Sequence, residues 1–264
     1  MIVAAALPGI PDVHPGADLG ALLAAGLLRL AEDDGIAPDR ARDVGPLAAG
    51  DVLVVAHKVV SKAEGRVVSL AGVTPGPRAA ALGVEHAKDP RLVELILGES
   101  DAIVRSRPGV LICRTHHGYV CANAGVDASN AGAEGAVVLL PVDPDASARR
   151  LRARLRELTG LAPAVVIADS FGRAWRIGQC DVAIGIAGLR PLEDWRGRDD
   201  AGGRVLEATV IAVADGAAAA ADLARRKDGR EPAVLVRGLA RHVRDEDGPG
   251  AAALIRARDE DLFQ

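Results

Sequence analysis

The sequence is short of cysteine, of long apolar runs and of surplus positive charge, and each shortage excludes a class of protein. Its three cysteines (Cys113, Cys121 and Cys180) are odd in number and form no CxxC pair, which argues against a disulfide framework and for a reducing compartment. No apolar run reaches the roughly 20 residues of a membrane span, and the short apolar start lacks the basic flank of a signal peptide. We therefore expect a cytoplasmic protein that does not bind a membrane.

The charge balance argues against a nucleic-acid partner. Thirty-six acidic residues are mixed among 32 basic ones, for a formal net charge of -4, so no basic stripe is available to follow a phosphate backbone. At 49% hydrophobic residues the chain is far too apolar for intrinsic disorder. Its 264 residues suit one large domain with a substantial core.

Some residue types are rare enough to mark positions of interest. The basic residues are nearly all arginine, a bias typical of a GC-rich genome. Against that background, a rare side chain in a loop motif indicates that its chemistry is needed there. Lysine occurs only at positions 58, 62, 88 and 227, asparagine only at 123 and 130, and glutamine only at 179 and 264.

Hydrophobic periodicity and turn residues predict a mixed α+β fold. Several strands occur in runs joined by short glycine-rich turns, which favours α+β over a doubly wound sheet. Neither GxGxxG nor GxxxxGK[ST] is present, so a bound nucleotide would need another loop architecture. Helices are predicted to begin at Asp18, at Asp89-Pro90, at Asp143-Pro144 and at Ala217. Strands are predicted at 2–7, 51–56, 102–104, 110–113, 119–121, 136–140, 164–168, 182–186, 205–213 and 233–236.

The stretch VCANAGVDASN, residues 120–130, holds both asparagines and one carboxylate directly after a strand. Asp127 can ligate a hard divalent cation, because Mg²⁺ and Mn²⁺ favour carboxylate oxygens, and the Asn130 amide can position a ligand. The alternative is an Asx-turn, in which both side chains only bond their local backbone.

The stretch ADSFGRAWRIGQ, residues 168–179, follows an apolar strand. Asp169 is a second hard-metal ligand candidate and Ser170 a third, although Asp-Ser after a strand is also a good helix N-cap. Arg173 and Arg176 suit a phosphate or carboxylate, because the guanidinium fork matches both geometries.

Three further stretches have both a functional and an ordinary interpretation. In the polar loop HKVVSKAEGR after residue 56, Lys58 and Lys62 are four residues apart, which indicates either an anion between them or two solvated lysines. The loop GIPDVHPG, residues 9–16, suits a base or phosphate as well as an ordinary turn. The basic loop RRKDGREP, residues 225–232, complements a helix dipole whatever its function. His116 and His117, as neighbours in a strand, face opposite ways and are not expected to share a metal.

Together these stretches, with PAVLVRG near the end, resemble the F420 gamma-glutamyl ligase family, from about residue 7 to residue 238. The resemblance implies a two-lobed α+β fold in one domain over residues 1–264, with two intertwined subdomains as a variant. Some relatives carry a nitroreductase-like extension, which we do not expect in this protein. It also implies a homodimer, a GTP substrate and the small-molecule substrates F420-0 and L-glutamate.

The resemblance further implies roles for individual residues. One divalent ion, Mg²⁺ or Mn²⁺, would be held by Asp127 and Asp169, and a second would involve Ser170, with K⁺ as a further candidate cation. Lys62, Asp127 and Asp169 would be catalytic, whereas Arg173 and Arg176 are substrate-binding candidates by our own inference. Relatives often have Ser, Thr or Gln in place of His57, which leaves its nucleotide contact open. The nucleotide set is Ile10, Pro11, Asp12, Val13, His57, Lys62, Asn130, Arg225, Lys227 and Gly229.

The hypothesis for the mechanism is phosphorylation of an acceptor carboxylate by GTP, followed by attack of the glutamate amine on the acyl phosphate. Two other functions remain open at this stage: a two-metal GTP-dependent phosphotransferase or hydrolase, and a non-catalytic nucleotide-binding protein.

Overall fold

A computed structural model describes residues 1–32, 44–129 and 131–261 of the chain. The helices are α1 (Leu19–Glu32), α2 (His57–Ala63), α3 (Pro77–His86), α4 (Pro90–Gly98), α5 (Pro144–Thr159) and α6 (Val213–Ala224). The strands are β1 (Val3–Ala6), β2 (Val52–Ala56), β3 (Val67–Ser69), β4 (Ser100–Arg107), β5 (Val110–Thr115), β6 (Val120–Ala122), β7 (Ala136–Val138), β8 (Ala164–Arg173), β9 (Arg176–Ala187), β10 (Leu192–Asp194), β11 (Val210–Ala212) and β12 (Ala233–Arg237).

The central sheet has five strands in the order β1-β12-β2-β8-β9, with β2 and β8 parallel and the other pairs antiparallel. Helices cover both faces, so β2 is buried along its length and its side chains divide between two apolar clusters. Leu53 and Val55 pack with leucines of α1 and α5, whereas Val52 and Val54 pack with the alanines of α6. This two-sided burial explains why β2 is a continuous apolar run rather than an alternating one.

Residues 67–140 build a third apolar cluster beside the central sheet. It combines α3 and α4 with the three-stranded sheet β4-β5-β6 and the β3-β7 pair. The mixture of antiparallel, parallel and helical layers confirms the predicted α+β class. The longest described helix, α5, has 16 residues and many charges, and no helix in the described ranges has the length and apolar composition of a membrane span.

Two predicted helix starts are confirmed in detail. Asp89 accepts a hydrogen bond from Arg91 N at 2.8 Å with Pro90 in the first turn, and Asp143 accepts one from Ala146 N at 2.8 Å. Each carboxylate satisfies a backbone donor that the helix itself leaves without a partner.

The structure corrects three local predictions in the second half of the chain. The strand predicted at 164–168 continues to Arg173, because its backbone pairs with β9 in a long hairpin, so Asp169-Ser170 is not a helix N-cap. The strand predicted at 205–213 is limited to β11, because the Asp200 carboxylate accepts bonds from the amides of Gly202 and Arg204 and holds a turn before it. Helix α6 begins four residues earlier than predicted.

The histidine pair also differs from expectation, and one arginine of α5 lies in the interior. Arg152 is buried and donates to Asp247 and to main-chain oxygens. His116 and His117 lie in the turn between β5 and β6, not in a strand. Their Nε2 atoms bond main-chain oxygens of Gly98 and of residues 141–142, respectively, and the prediction that they share no metal stays a prediction.

Candidate active site at one edge of the central sheet

The strand register brings the loops singled out in the sequence to one edge of the central sheet. Ala6 at the end of β1 pairs with Val234 near the start of β12, and Ala233 pairs with Val55 near the end of β2. Ala56 pairs in parallel with Ala168 of β8. The loop after β1, the loop before β12, the start of α2 and Asp169-Ser170 therefore meet at the same edge.

Helix α2 follows β2 without a connecting loop, which corrects the polar loop predicted for residues 57–62. The apolar face of α2 is short and packs on the apolar cluster formed with α1 and α5; it consists of Val59, Val60 and Ala63. Polar residues flank these three in the sequence, so no helical period stands out. Gly65, at φ 73°, follows the helix and donates to Lys62 O. Lys58 and Lys62 consequently lie one turn apart on one face of a helix.

The two lysines of α2 have different surroundings. Lys58 Nζ lies 2.7 Å from Asp127 Oδ2 and donates to Ser129 Oγ at 2.6 Å. Lys62 has no ion pair or side-chain hydrogen bond within the ranges that the structure describes, and it is only partly exposed. Of the two, Lys62 is therefore the ammonium available to an incoming anion.

Asp127 forms the predicted Asx-turn and also faces the candidate site. Its Oδ1 accepts from Ser129 N at 2.6 Å, while Oδ2 contacts Lys58. Partial burial raises the pKa of this carboxyl, but the hydrogen bonds from Lys58 and Ser129 outweigh burial, so the net pKa lies below its usual value. The local turn and an ionised, ligand-ready carboxylate thus coexist. Asn130 lies outside the described residues.

Asp169 lies beside the start of α2. Its Oδ1 accepts from Ser170 N at 2.8 Å and lies 3.3 Å from His57 Nε2, which does not meet hydrogen-bond geometry. His57 is 2% exposed, and its Nδ1 lies 3.4 Å from Ser61 Oγ. The histidine that was left open as a nucleotide contact therefore faces the Asp169 carboxylate from within the protein.

Ser170 belongs to a network that reaches across to the loop before β12. Its hydroxyl donates to Asp181 Oδ1 at 2.6 Å and accepts from Lys227 Nζ at 3.2 Å. Asp181 is fully buried against the Arg225 guanidinium; burial raises the pKa of this carboxyl, and the guanidinium opposes the rise. Lys227 Nζ also donates to Asp222 at 2.6 Å.

Asp181 and Asp222 are site residues that sequence reasoning missed. Asp181 lies in β9 directly before the apolar run VAIGIA, and Asp222 lies near the end of the alanine-rich helix α6. The sequence feature that could have identified them is a single carboxylate in an otherwise apolar segment. Such a group needs a buried partner, because an unpaired buried charge is costly.

The loop after β1 is anchored by its apolar residues. Ile10 and Val13 are buried, whereas Pro11 and Asp12 are exposed. Gly16 N donates to Ala63 O at 2.8 Å, which ties the loop to the end of α2. The exposed pair Pro11-Asp12 is thus held next to the lysine-bearing helix.

The remaining predicted residues lie further out. Arg173 and Arg176 are exposed and face each other at the tip of the β8–β9 hairpin, where Arg173 donates to main-chain oxygens of Ile177 and Gly178. Gly229 lies in the exposed loop between α6 and β12. The structure therefore places Lys62, Asp127, Asp169, Ser170 and Lys227 around the sheet edge and the two arginines beyond it.

The sheet edge has two groups of carboxylates, one beside α2 and one around Ser170, and they differ in how far nearby cations already neutralise them. No three His, Cys, Asp or Glu side chains surround one point in the described residues, so an ion here would need further oxygen ligands. Beside α2, Asp127 is paired with the Lys58 ammonium and Asp169 faces the His57 imidazole, so these four side chains carry a net charge of -1 with histidine counted as neutral. Around Ser170, the two carboxylates Asp181 and Asp222 face two cations and their charges cancel.

Comparison with known proteins shows similarity along nearly the whole chain. The sequence model of the family F420-0:Gamma-glutamyl ligase matches residues 9–238. A Methanopyrus kandleri protein named coenzyme F420:L-glutamate ligase is 44% identical over 254 residues, which cover 96% of this chain and 93% of that protein. A protein of the same name from Methanothermobacter thermautotrophicus is 42% identical over 97% of this chain and 96% of its own length. Another from Archaeoglobus fulgidus is 43% identical over 81% of this chain and 84% of its own length.

Proposed function

The chain belongs to the F420-0:gamma-glutamyl ligase family, and we propose that it joins L-glutamate to coenzyme F420-0 with GTP as the energy source. Membership makes it an enzyme of the ligase class and confirms the resemblance stated from its motifs. The observation that carries the proposal is the convergence at one sheet edge of two loops, an available lysine and two metal-ligand carboxylates.

The nucleotide would lie between the loop after β1 and the loop before β12. Pro11 and Asp12 are the exposed residues of the first loop, and Lys62 supplies a positive charge that no described residue neutralises. In phosphoryl transfer, fixed positive charge aimed at the transferring group is the main source of rate enhancement. We therefore assign Lys62 to the γ-phosphate and Lys58 to holding Asp127 in place.

Asp127 and Asp169 are assigned to one divalent cation in this proposal. Both are carboxylates, the ligand type that Mg²⁺ and Mn²⁺ prefer, and Asp169 has no lysine or arginine partner in the described residues. A bound ion would supply charge neutralisation at the β- and γ-phosphates. A monovalent ion such as K⁺ is a further candidate at this edge. Ser170 does not fit a second divalent ion, because its hydroxyl already donates to Asp181 and accepts from Lys227.

The proposed reaction has two steps. A carboxylate oxygen of F420-0 attacks the γ-phosphorus, the bond to the β-phosphate oxygen breaks, and GDP leaves. The neutral α-amine of glutamate then attacks the acyl carbon, inorganic phosphate leaves, and the amine proton passes to solvent. Arg173 and Arg176 are proposed to hold a carboxylate or phosphodiester of the substrates at the hairpin tip.

A mass-spectrometric assay tests the proposal. The purified protein is incubated with F420-0, GTP, Mn²⁺ and glutamate, and we expect a product heavier by one glutamyl residue together with GDP; heavier species would indicate longer tails. GTP hydrolysis without glutamate incorporation would favour the phosphotransferase or hydrolase alternative. GTP binding without any reaction would favour a non-catalytic nucleotide-binding protein. Light scattering would test the homodimer that the family resemblance implies.

A further inference from the structure

The position beside Ser170 already contains a cation that belongs to the chain. We propose that the ammonium of Lys227 takes the place of a second divalent ion, so that this protein binds one divalent cation per chain. The inference rests on the proposed function only in assuming a GTP-binding site at this sheet edge.

Two hydrogen bonds hold the ammonium of the otherwise exposed Lys227 side chain. Lys227 Nζ donates to Asp222 Oδ1 at 2.6 Å and to Ser170 Oγ at 3.2 Å, and a second carboxylate oxygen, Asp181 Oδ1, lies 3.9 Å away. These oxygens come from β8, β9 and α6, so the ammonium lies where three elements meet. Two carboxylates and one hydroxyl are the oxygen donors that a hard cation would use.

A divalent ion bound to Ser170 would be too close to this ammonium. Magnesium-oxygen distances are about 2.0–2.1 Å, so an ion on Ser170 Oγ would lie within about 5.3 Å of Lys227 Nζ. Repulsion at that separation disfavours the ion as long as the ammonium stays. Arg225, paired with the buried Asp181, adds further positive charge at the same place.

The charge count separates this position from the one beside α2. Asp181 and Asp222 are balanced by Arg225 and Lys227, so a divalent ion would leave an excess of two positive charges. Asp127 is paired with Lys58, whereas Asp169 has no lysine or arginine partner in the described residues, so its carboxylate charge stays uncompensated there. One position therefore still attracts a divalent ion, whereas the other is already neutral.

Removing the ammonium should convert the second position into a metal site. In Lys227→Gln the charge around Ser170 becomes -1, the same as beside α2, and the amide oxygen adds a fourth oxygen donor. Lys227→Ala gives the same charge and leaves space for water ligands. Lys227→Arg keeps the positive charge and is the matched control.

Counting bound Mn²⁺ tests the proposal. Each purified protein is saturated with GDP and titrated with Mn²⁺, free Mn²⁺ is followed by electron paramagnetic resonance, and thermal unfolding verifies that each variant is folded. We expect one Mn²⁺ per chain for the wild type and for Lys227→Arg. For Lys227→Gln or Lys227→Ala we expect two, with the spectrum of a spin-coupled Mn²⁺ pair.

Two results would overturn the inference: a wild-type count other than one, or a count that stays at one in both Lys227→Gln and Lys227→Ala. The titration contains neither F420-0 nor glutamate. A failure of glutamate ligation would therefore refute the proposed function without changing the Mn²⁺ count, and the reverse also holds.

Discussion

Replacing Asp181 by asparagine should destabilise the protein strongly, because Asp181 is the buried counter-charge of Arg225. The carboxylate is fully buried and the Arg225 side chain is 9% exposed, so Asp181→Asn leaves a guanidinium inside the protein without its main partner. Breaking a buried ion pair costs roughly 3–5 kcal/mol. Asp222 Oδ1, 3.9 Å from Arg225 Nε, remains as a weak substitute, so we expect the lower end, about 3 kcal/mol.

Thermal and urea unfolding measure this effect. For a chain of this size about 3 kcal/mol corresponds to a fall of roughly 6–12 °C in the unfolding midpoint. The double variant Asp181→Asn with Arg225→Gln removes both charges and should recover much of the loss, since no uncompensated charge stays buried. Asp194→Asn, which breaks the exposed pair with Arg196, is the control and should leave the midpoint unchanged. The reasoning is refuted if Asp181→Asn costs less than about 1 kcal/mol or if the double variant is less stable than the single one.

Three other predictions concern the site and its surroundings. Lys62→Met should lower the ligation rate by about 100-fold or more with unchanged thermal stability; an effect on stability alone would contradict its phosphate role. Asp169→Asn should weaken Mn²⁺ binding measured in the presence of GDP, and equal affinity would remove Asp169 from the metal site. Iodoacetamide at pH 8 should label Cys180 well before Cys121, since burial, with smaller effects from Asp169 and Cys113, raises the pKa of Cys121 to about 12 and only the thiolate reacts. Peptide mapping that shows equal labelling would contradict that order.

Short sequence patterns predicted much of the fold, because apolar runs indicate buried strands and Asp-Pro pairs indicate helix N-termini. The apolar runs predicted β2 and β12, and the Asp-Pro pairs predicted the starts of α4 and α5. Helix α2 was missed because its apolar face is only Val59, Val60 and Ala63, too short for a helical period to stand out. The extension of β8 was missed because an exposed hairpin needs no apolar residues, only a partner strand.

The candidate site was predictable where rare residues mark loops. Lys62, Asp127 and Asp169 were identified because each stands in a polar stretch beside an apolar strand. Asp181 and Asp222 were not, because they lie in elements whose surrounding sequence reads as core. Their role follows from partners far away in sequence, 44 residues between Asp181 and Arg225.

The amino-acid sequence was enough to predict the α+β class, the family and the kinds of side chain at the candidate site. How the charges of those side chains are paired follows from the tertiary fold. Lys58 meets Asp127 and Lys227 meets Ser170 because the register of β2, β8, β9 and β12 brings distant segments to one edge of the sheet. The sequence shows which residues carry a charge. Whether a charged side chain is free to bind a ligand depends on whether folding places an opposite charge beside it. That pairing separates Lys62, which has no partner in the described residues, from Lys227, which is hydrogen-bonded to Asp222 and Ser170.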